Sequence, residues 1–137
     1  MINVLLISEA SKKVDLTVAT IRYYADLNMI PSIKRNYKGQ RVFDDESITW
    51  LEGIKFLREL NMPIPEIQKY IELCQKDGLA ALKKRHAILS QQEKIAEALV
   101  ADDQNKLKKL KSRLKLEEEI IKGHKQDSLS AARRFNQ

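Results

Sequence analysis

Apolar positions recur at helical spacing over most of this chain, and the breaks fall at residues that stop helices. Residues 8–14 predict a short helix capped by Ser8, whose hydroxyl suits the free N–H groups of a first turn. Asp15-Leu16 interrupts it, and Thr17 is placed to cap a second helix over Val18 to Ala25. Two short helices joined by a tight break make a helix-turn-helix pattern. Asn28 stops the second helix and Pro31 forbids its continuation. Ile33-Lys34-Arg35 and Gln40-Arg41-Val42-Phe43, joined through Gly39, predict two short strands forming a small hairpin or wing. Asp44 caps a further helix, with Asp45 and Glu46 at its positive dipole end. Ile48, Leu51, Ile54, Leu57 and Leu60 form its apolar stripe, with Trp50 and Phe56 flanking and Asn61 ending it. Pro65 suits the first turn of the next helix, on which Ile67, Tyr70, Ile71 and Cys74 share a face, and Asp77-Gly78 stops that helix.

From residue 79 to 122 there is neither Pro nor Gly, which predicts one long helix. Its stripe reads Ile88, Ala96, Leu99, Leu107, Leu110, Leu114 and Ile121. Leu107, Leu114 and Ile121 keep a heptad step, whereas Ile88, Leu99, Leu110 and Ile121 keep an eleven-residue step. Asp103 and Glu117 interrupt the heptad, so the seam is imperfect; a parallel zipper, an antiparallel pair and a four-helix contact all fit it. A stripe this long has no place to bury within so small a chain and is expected to pair with a second copy. Residues 123–137 are expected to form a polar, frayed tail.

Composition narrows the function classes. A single Cys excludes an internal disulfide framework and a Cys-rich zinc cluster. No apolar run is long enough to span a membrane, and Met1–Ile7 lacks the basic start of a signal peptide, so a cytoplasmic location is expected. The net charge of +6 suggests nucleic acid, yet residues 1–78 hold as many acidic as basic groups. Placement refines this. From Lys12 to Arg41, seven bases face only Asp15 and Asp26, whereas Asp44 to Asp77 is acidic. The basic stretch, with Lys34, Arg35, Lys38 and Arg41 in the wing, is the part suited to phosphates. The later cluster from Lys106 to Lys115 reads as the solvated side of the long helix.

Several motifs together resemble the DNA-binding head of MerR-family transcription regulators. They are Thr17-Val18-Ala19-Thr20-Ile21-Arg22-Tyr23-Tyr24, Asn28-Met29-Ile30-Pro31, Gly39-Gln40-Arg41-Val42-Phe43, Phe56-Leu57-Arg58-Glu59-Leu60-Asn61 and Ile64-Pro65-Glu66-Ile67. The resemblance implies a mainly α protein: a winged helix-turn-helix DNA-binding domain over 1–78, a dimerisation helix over 79–122 and a flexible tail over 123–137. It further implies a homodimer on a palindromic operator in double-stranded promoter DNA. There it would bend and untwist the DNA for RNA polymerase in response to a small-molecule effector that the sequence does not identify. The residues expected at DNA are Thr17, Val18, Thr20, Arg22 and Tyr23 on the second helix, Lys38, Gln40 and Arg41 in the wing, and Arg58. Of these, Arg22 is long enough to reach bases or phosphates, and Arg41 and Arg58 match basic positions that touch the DNA backbone in the family. Tyr24 is expected in the core. The chain departs from the family pattern at Asp15, Asn28 and Asn61, where glycine is usual, at Ala19, where arginine is usual, and at Gln40, where tyrosine is usual; each of the first three can still adopt the required turn.

No nucleophile–base pair or phosphate loop is present, so no catalytic site, cofactor or enzymatic activity is expected. His86 and His124 lack a partner at ligand spacing, and no metal site is expected. Cys74, on the face of Ile67 and Ile71, is expected to be a buried small hydrophobe. The alternative is a thiol sensor of aldehydes or oxidants. A coiled-coil adaptor that binds protein rather than DNA is the remaining class.

Overall fold

The computed structural model describes residues 4–127 and 130–137. The first three residues of the segment read for a signal peptide, and residues 128 and 129 of the expected tail, lie outside the described residues. In chain order the elements are β1 (Leu5–Leu6), α1 (Ile7–Val14), α2 (Val18–Asp26), β2 (Lys34–Arg35), β3 (Arg41–Phe43), α3 (Asp45–Glu59), α4 (Ile64–Cys74), α5 (Leu79–Ile121) and a short 3-10 helix (Ala131–Asn136). The protein is mainly α, with a winged helix-turn-helix at its N-terminal end.

The turns follow the sequence logic closely. Asp15, Asn28 and Asn61 all take left-handed backbone, with φ of 55°, 58° and 62°. Short polar side chains tolerate that conformation, so these three residues perform turns for which glycine is the usual choice. Thr17 caps α2, its Oγ1 accepting from Thr20 N–H at 3.1 Å. Asp44 caps α3, its Oδ1 accepting from Ser47 N–H at 2.8 Å and Ser47 Oγ–H at 2.9 Å.

Three expectations change. The wing is not an isolated hairpin: β1 adds a third antiparallel strand, in the order β1-β3-β2, with Leu5 opposite Phe43 and Leu6 opposite Val42. A two-residue strand has no local signature, because its pairing is made across the whole helix-turn-helix. That strand also overrides the Ser8 cap. The sheet delivers the chain into α1 at Leu6, two residues before Ser8, and Glu9 Oε1 accepts from Leu6 N–H at 3.0 Å instead. Leu60 is exposed rather than buried with the α3 stripe, since the helix ends at Glu59.

The first compact unit is Met1–Gln92. Its fully buried side chains include Ile21 of α2, Met29 and Phe43 of the wing region, Leu51 and Ile54 of α3, and Ile67 of α4. The first turns of α5 belong to this unit: Ile88 and Leu89 pack against the core, and Gln92 Nε2 donates to Leu60 O at 2.8 Å. Lys55 of α3 donates through Nζ to Val14 O at 3.0 Å and so satisfies the open end of α1.

The second unit is Glu93–Gln137. Here Leu99, Val100, Leu107, Leu110, Leu114 and Ile121 of α5 are exposed, a run of large apolar side chains facing solvent. The tail, expected to fray, carries the 3-10 helix, and Arg113 donates to Arg134 O and Phe135 O at 2.8 and 3.2 Å. No helix among the described residues is long and apolar enough to cross a membrane.

The Asp44 cap has a pH signature. The Ser47 backbone N–H, held against the ionised carboxylate, is the main reason the Asp44 pKa lies below its ordinary value; partial burial opposes it, and Lys34 assists. A lowered carboxylate stabilises the fold fully above its unfolded pKa and loses that contribution as pH falls through the folded value. Asp44→Ala should therefore cost about 1 kcal/mol near neutral pH, the scale of a lost N-cap. The difference from the parent, measured by urea denaturation, should shrink as the pH is lowered below the ordinary carboxylate range.

Candidate nucleic-acid interface

The amphipathic division of α2 sets the site. Ile21, Tyr24 and Ala25 are buried, which turns Arg22 and Tyr23 outward, and Tyr23 is 51% exposed. Tyr24 is core, as expected, and its ring lies 5.9 Å from that of Tyr23. The same packing leaves Thr17 and Ala19 exposed and Val18 and Thr20 half-buried at the N-terminal end of the helix. The Thr17 and Thr20 hydroxyls hydrogen-bond each other at 2.7 Å. The helix thus presents its N–H groups and positive dipole end beside an outward arginine and tyrosine.

The wing is organised by one residue that the sequence reading left without a role, Asn36. Its Oδ1 accepts from Lys38 N–H and Gln40 N–H, each at 3.0 Å, and its Nδ2 donates to Gln40 Oε1 at 3.1 Å. Gly39 then takes a φ of 77°, and its carbonyl accepts from Arg35 Nη1 at 2.6 Å. Asparagine at the head of a turn is a readable signal for this arrangement. At the tip, Tyr37 is 92% exposed and Lys38 Nζ lies 5.6 Å from its ring centroid.

Helix and wing converge. Arg22 of α2 and Arg35, Gln40 and Arg41 of the wing line one surface groove with Leu6 and Ile7. Arg35 was read from the sequence only as a wing base, and the structure sets it beside the expected contact residues. Arg41 is steered by Asp26 at the end of α2: Nη2 to Oδ1 is 2.6 Å, with the arginine side chain largely covered. With its aspartate open to solvent the pair adds little stability, and its consequence here is orientation. Gln40 is tied to Asn36 and so lies at the groove edge in a fixed pose. Arg58 does not line this groove; its Nη1 donates to Met62 O at 2.8 Å, which leaves the other guanidinium N–H groups for a second partner.

Cys74 corrects the sequence reading. The thiol is exposed, because Cys74 is the last residue of α4 and lies beyond the buried Ile67 and Ile71. Its pKa is nevertheless raised, chiefly by desolvation beside its neighbours, while the Arg85 guanidinium works in the opposite direction. His86 is exposed, and His124 Nδ1 lies 3.0 Å from Glu119 Oε2. Among the described residues no group of three ligand-type side chains could hold a metal ion.

The MerR HTH family of regulatory proteins matches residues 5–74. The chain is 30% identical over 91 residues to the HTH-type transcriptional regulator AdhR of Bacillus subtilis; the match covers 66% of this chain and 65% of that protein, just under two thirds of its length. A MerR family transcriptional regulator from Bacillus thuringiensis superposes with a TM-score of 0.63 at 31% identity, covering 82% of this chain and 97% of that one. HiNmlR, a MerR family regulator lacking the sensor domain and solved bound to promoter DNA, shares the fold with a TM-score of 0.65 at 22% identity, over 87% of this chain and 89% of its own. With its winged helix-turn-helix, its family motifs and a family match over residues 5–74, this chain belongs to the MerR family of helix-turn-helix regulatory proteins.

Proposed function

We propose that the protein is a transcription regulator that binds palindromic promoter DNA as a homodimer and acts by distorting it. The observation that carries this reading is the groove that brings Arg22 of α2 together with Arg35, Gln40 and Arg41 of the wing. A helix N-terminus with an outward arginine suits a groove of duplex DNA, and flanking arginines suit its phosphates. The fold shared with HiNmlR, which was solved on promoter DNA, supports the same use. The exposed leucines of α5 support pairing of two copies, which would set two heads on two half-sites. RNA polymerase at the distorted promoter is the partner such a mechanism serves, and the cytoplasm is where it would act.

Operator sites selected from random DNA by the purified protein test this reading. The selected sites should be palindromic, and affinity for them should fall steeply with salt, as phosphate contacts require. A protein-binding adaptor would select no palindrome and show a flat salt response. Arg22→Ala and Tyr23→Ala should each weaken operator binding by about 1–3 kcal/mol, the scale of a good groove contact. Both side chains are exposed, so thermal unfolding should be unchanged.

Exposure of Cys74 keeps the thiol-sensor reading in view, but its raised pKa argues against it. Thiolate is the reactive form and is scarcer than for a free cysteine at neutral pH. Alkylation of Cys74 by iodoacetamide should be slower in the native protein than in the urea-unfolded chain, with its rate rising at a higher pH. Arg85→Ala should slow it further, because it removes a charge that favours thiolate. Cys74→Ser should leave the response to aldehydes and oxidants unchanged in a reporter assay.

A further inference from the structure

We infer that the first turn of α2 reads thymine methyl groups: Val18 and Ala19 are specificity-determining residues, and each operator half-site carries thymine where they enter the major groove. The inference rests on the proposed promoter-binding function and deepens it, since it names the base that the helix selects. The argument starts from what α2 lacks. From Val18 to Asp26 the helix holds no Asn, Gln or Lys. Asn and Gln pair with the adenine edge, and a carboxylate accepts from cytosine. The one carboxylate of α2, on Asp26, is engaged by Arg41 at 2.6 Å. Arg22 is therefore the one side chain of α2 suited to two-point pairing with a base edge, that of guanine.

The second observation is the geometry of the cap. Thr17 Oγ1 accepts from Thr20 N–H at 3.1 Å, and the two threonine hydroxyls lie 2.7 Å apart, so the hydroxyls of this turn are engaged within the cap. Ala19 is exposed and Val18 is half-buried, because Ile21, Tyr24 and Ala25 take the core side of the helix. Val18 and Ala19 stand four and three residues before Arg22, a spacing that sets all three on one face. The N-terminal turn is the part of such a helix that meets base edges, and here that turn offers methyl groups.

The chemistry of the groove completes the assignment. The C5 methyl of thymine is the one apolar group that the bases present in the major groove. Val18 and Ala19 set against that methyl exclude water from apolar surface on both sides, which is favourable. Set against any other base edge they strip water from a donor or acceptor and return no hydrogen bond, which is costly. The small Ala19 side chain also lets the helix backbone come close to the bases. Selection therefore combines a gain for thymine with a penalty for the alternatives.

Operator DNA selected by the full-length protein is remade with deoxyuridine in place of each thymine in turn, at the same position of both half-sites. Uracil keeps the hydrogen-bonding edge of thymine and lacks only the methyl, and the change leaves the protein untouched. At one or two positions affinity should fall about fourfold per half-site, the scale of one buried methyl, and so about fifteenfold for the palindrome. Ala19→Gly and Val18→Ala should each shrink the thymine-to-uracil ratio at the position that residue reads. Each ratio compares two DNAs on one protein, so a change in the variant's stability cancels. Indifference to uracil at every thymine, or a selected half-site without thymine, overturns the methyl reading and leaves the regulator reading standing. A loss that persists undiminished in both variants assigns the methyl's effect to DNA shape or to another residue and also overturns it. Selection of no palindrome overturns the regulator reading, and this one with it.

Discussion

Leu107→Asp with Leu114→Asp should convert the protein to a monomer and weaken operator binding by about 10²–10⁴-fold, the gain that linking two sites supplies. Both leucines are half exposed on α5, on the heptad step that ends at Ile121. Leaving such a row in water forfeits roughly 25 cal/mol for each Å² that a partner helix could cover. A carboxylate at two successive heptad positions would have to be desolvated in the seam, and pairing does not survive that cost. The core side chains of the head lie within Met1–Gln92, so its thermal unfolding should be preserved. Sedimentation at a concentration where the parent is dimeric decides the matter. A double variant that still sediments as a dimer would move the interface elsewhere. The same result bears on truncation: a cut after Gly78 would remove Ile88, Leu89 and Gln92 from the head, whereas a cut after Gln92 leaves the first unit whole.

The largest stability effect is expected at Phe43. Its side chain is 0% exposed, it pairs with Leu5 across the sheet, and it precedes the Asp44 cap of α3. Phe43→Ala removes a fully buried aromatic ring from the point where wing, first strand and α3 meet, at a cost of about 3–5 kcal/mol. A small domain holds about 5–15 kcal/mol in total, so the head should unfold more than about 10 °C earlier in a calorimetric scan. Operator binding should be lost with the fold. Phe43→Leu keeps most of the volume and should cost less than about 1.5 kcal/mol. Equal stability of the alanine and leucine variants would show that the ring is not the keystone of the sheet.

Local chemistry made much of this protein readable without tertiary structure. Caps at Thr17 and Asp44, left-handed turns at Asp15, Asn28 and Asn61, and the glycine of the wing are each decided by a residue and its immediate neighbours. The outward placement of Arg22 and Tyr23 follows from helical periodicity once Ile21 and Ala25 are assigned to the core. The long helix followed from the lack of any breaker between residues 79 and 122.

What escaped the sequence is non-local. β1 exists because β3 offers it an edge, and that pairing moves the start of α1 away from Ser8. The hold of Asp26 on Arg41, of Lys55 on Val14 and of Gln92 on Leu60 joins residues far apart in the chain. The exposure of Cys74 turned on where α4 ends, because a helix face predicts burial only as far as a neighbour covers it. The open cleft between Trp50, Tyr70 and Leu89 forms where three helices meet, and no periodicity along one chain records such a space. Sequence therefore determined which residues turn, cap and face outward, since those choices cost or gain free energy within a few residues. Tertiary structure alone decided which of them share a groove, a hydrogen bond or a void, since those depend on packing between segments that the chain brings together only when folded.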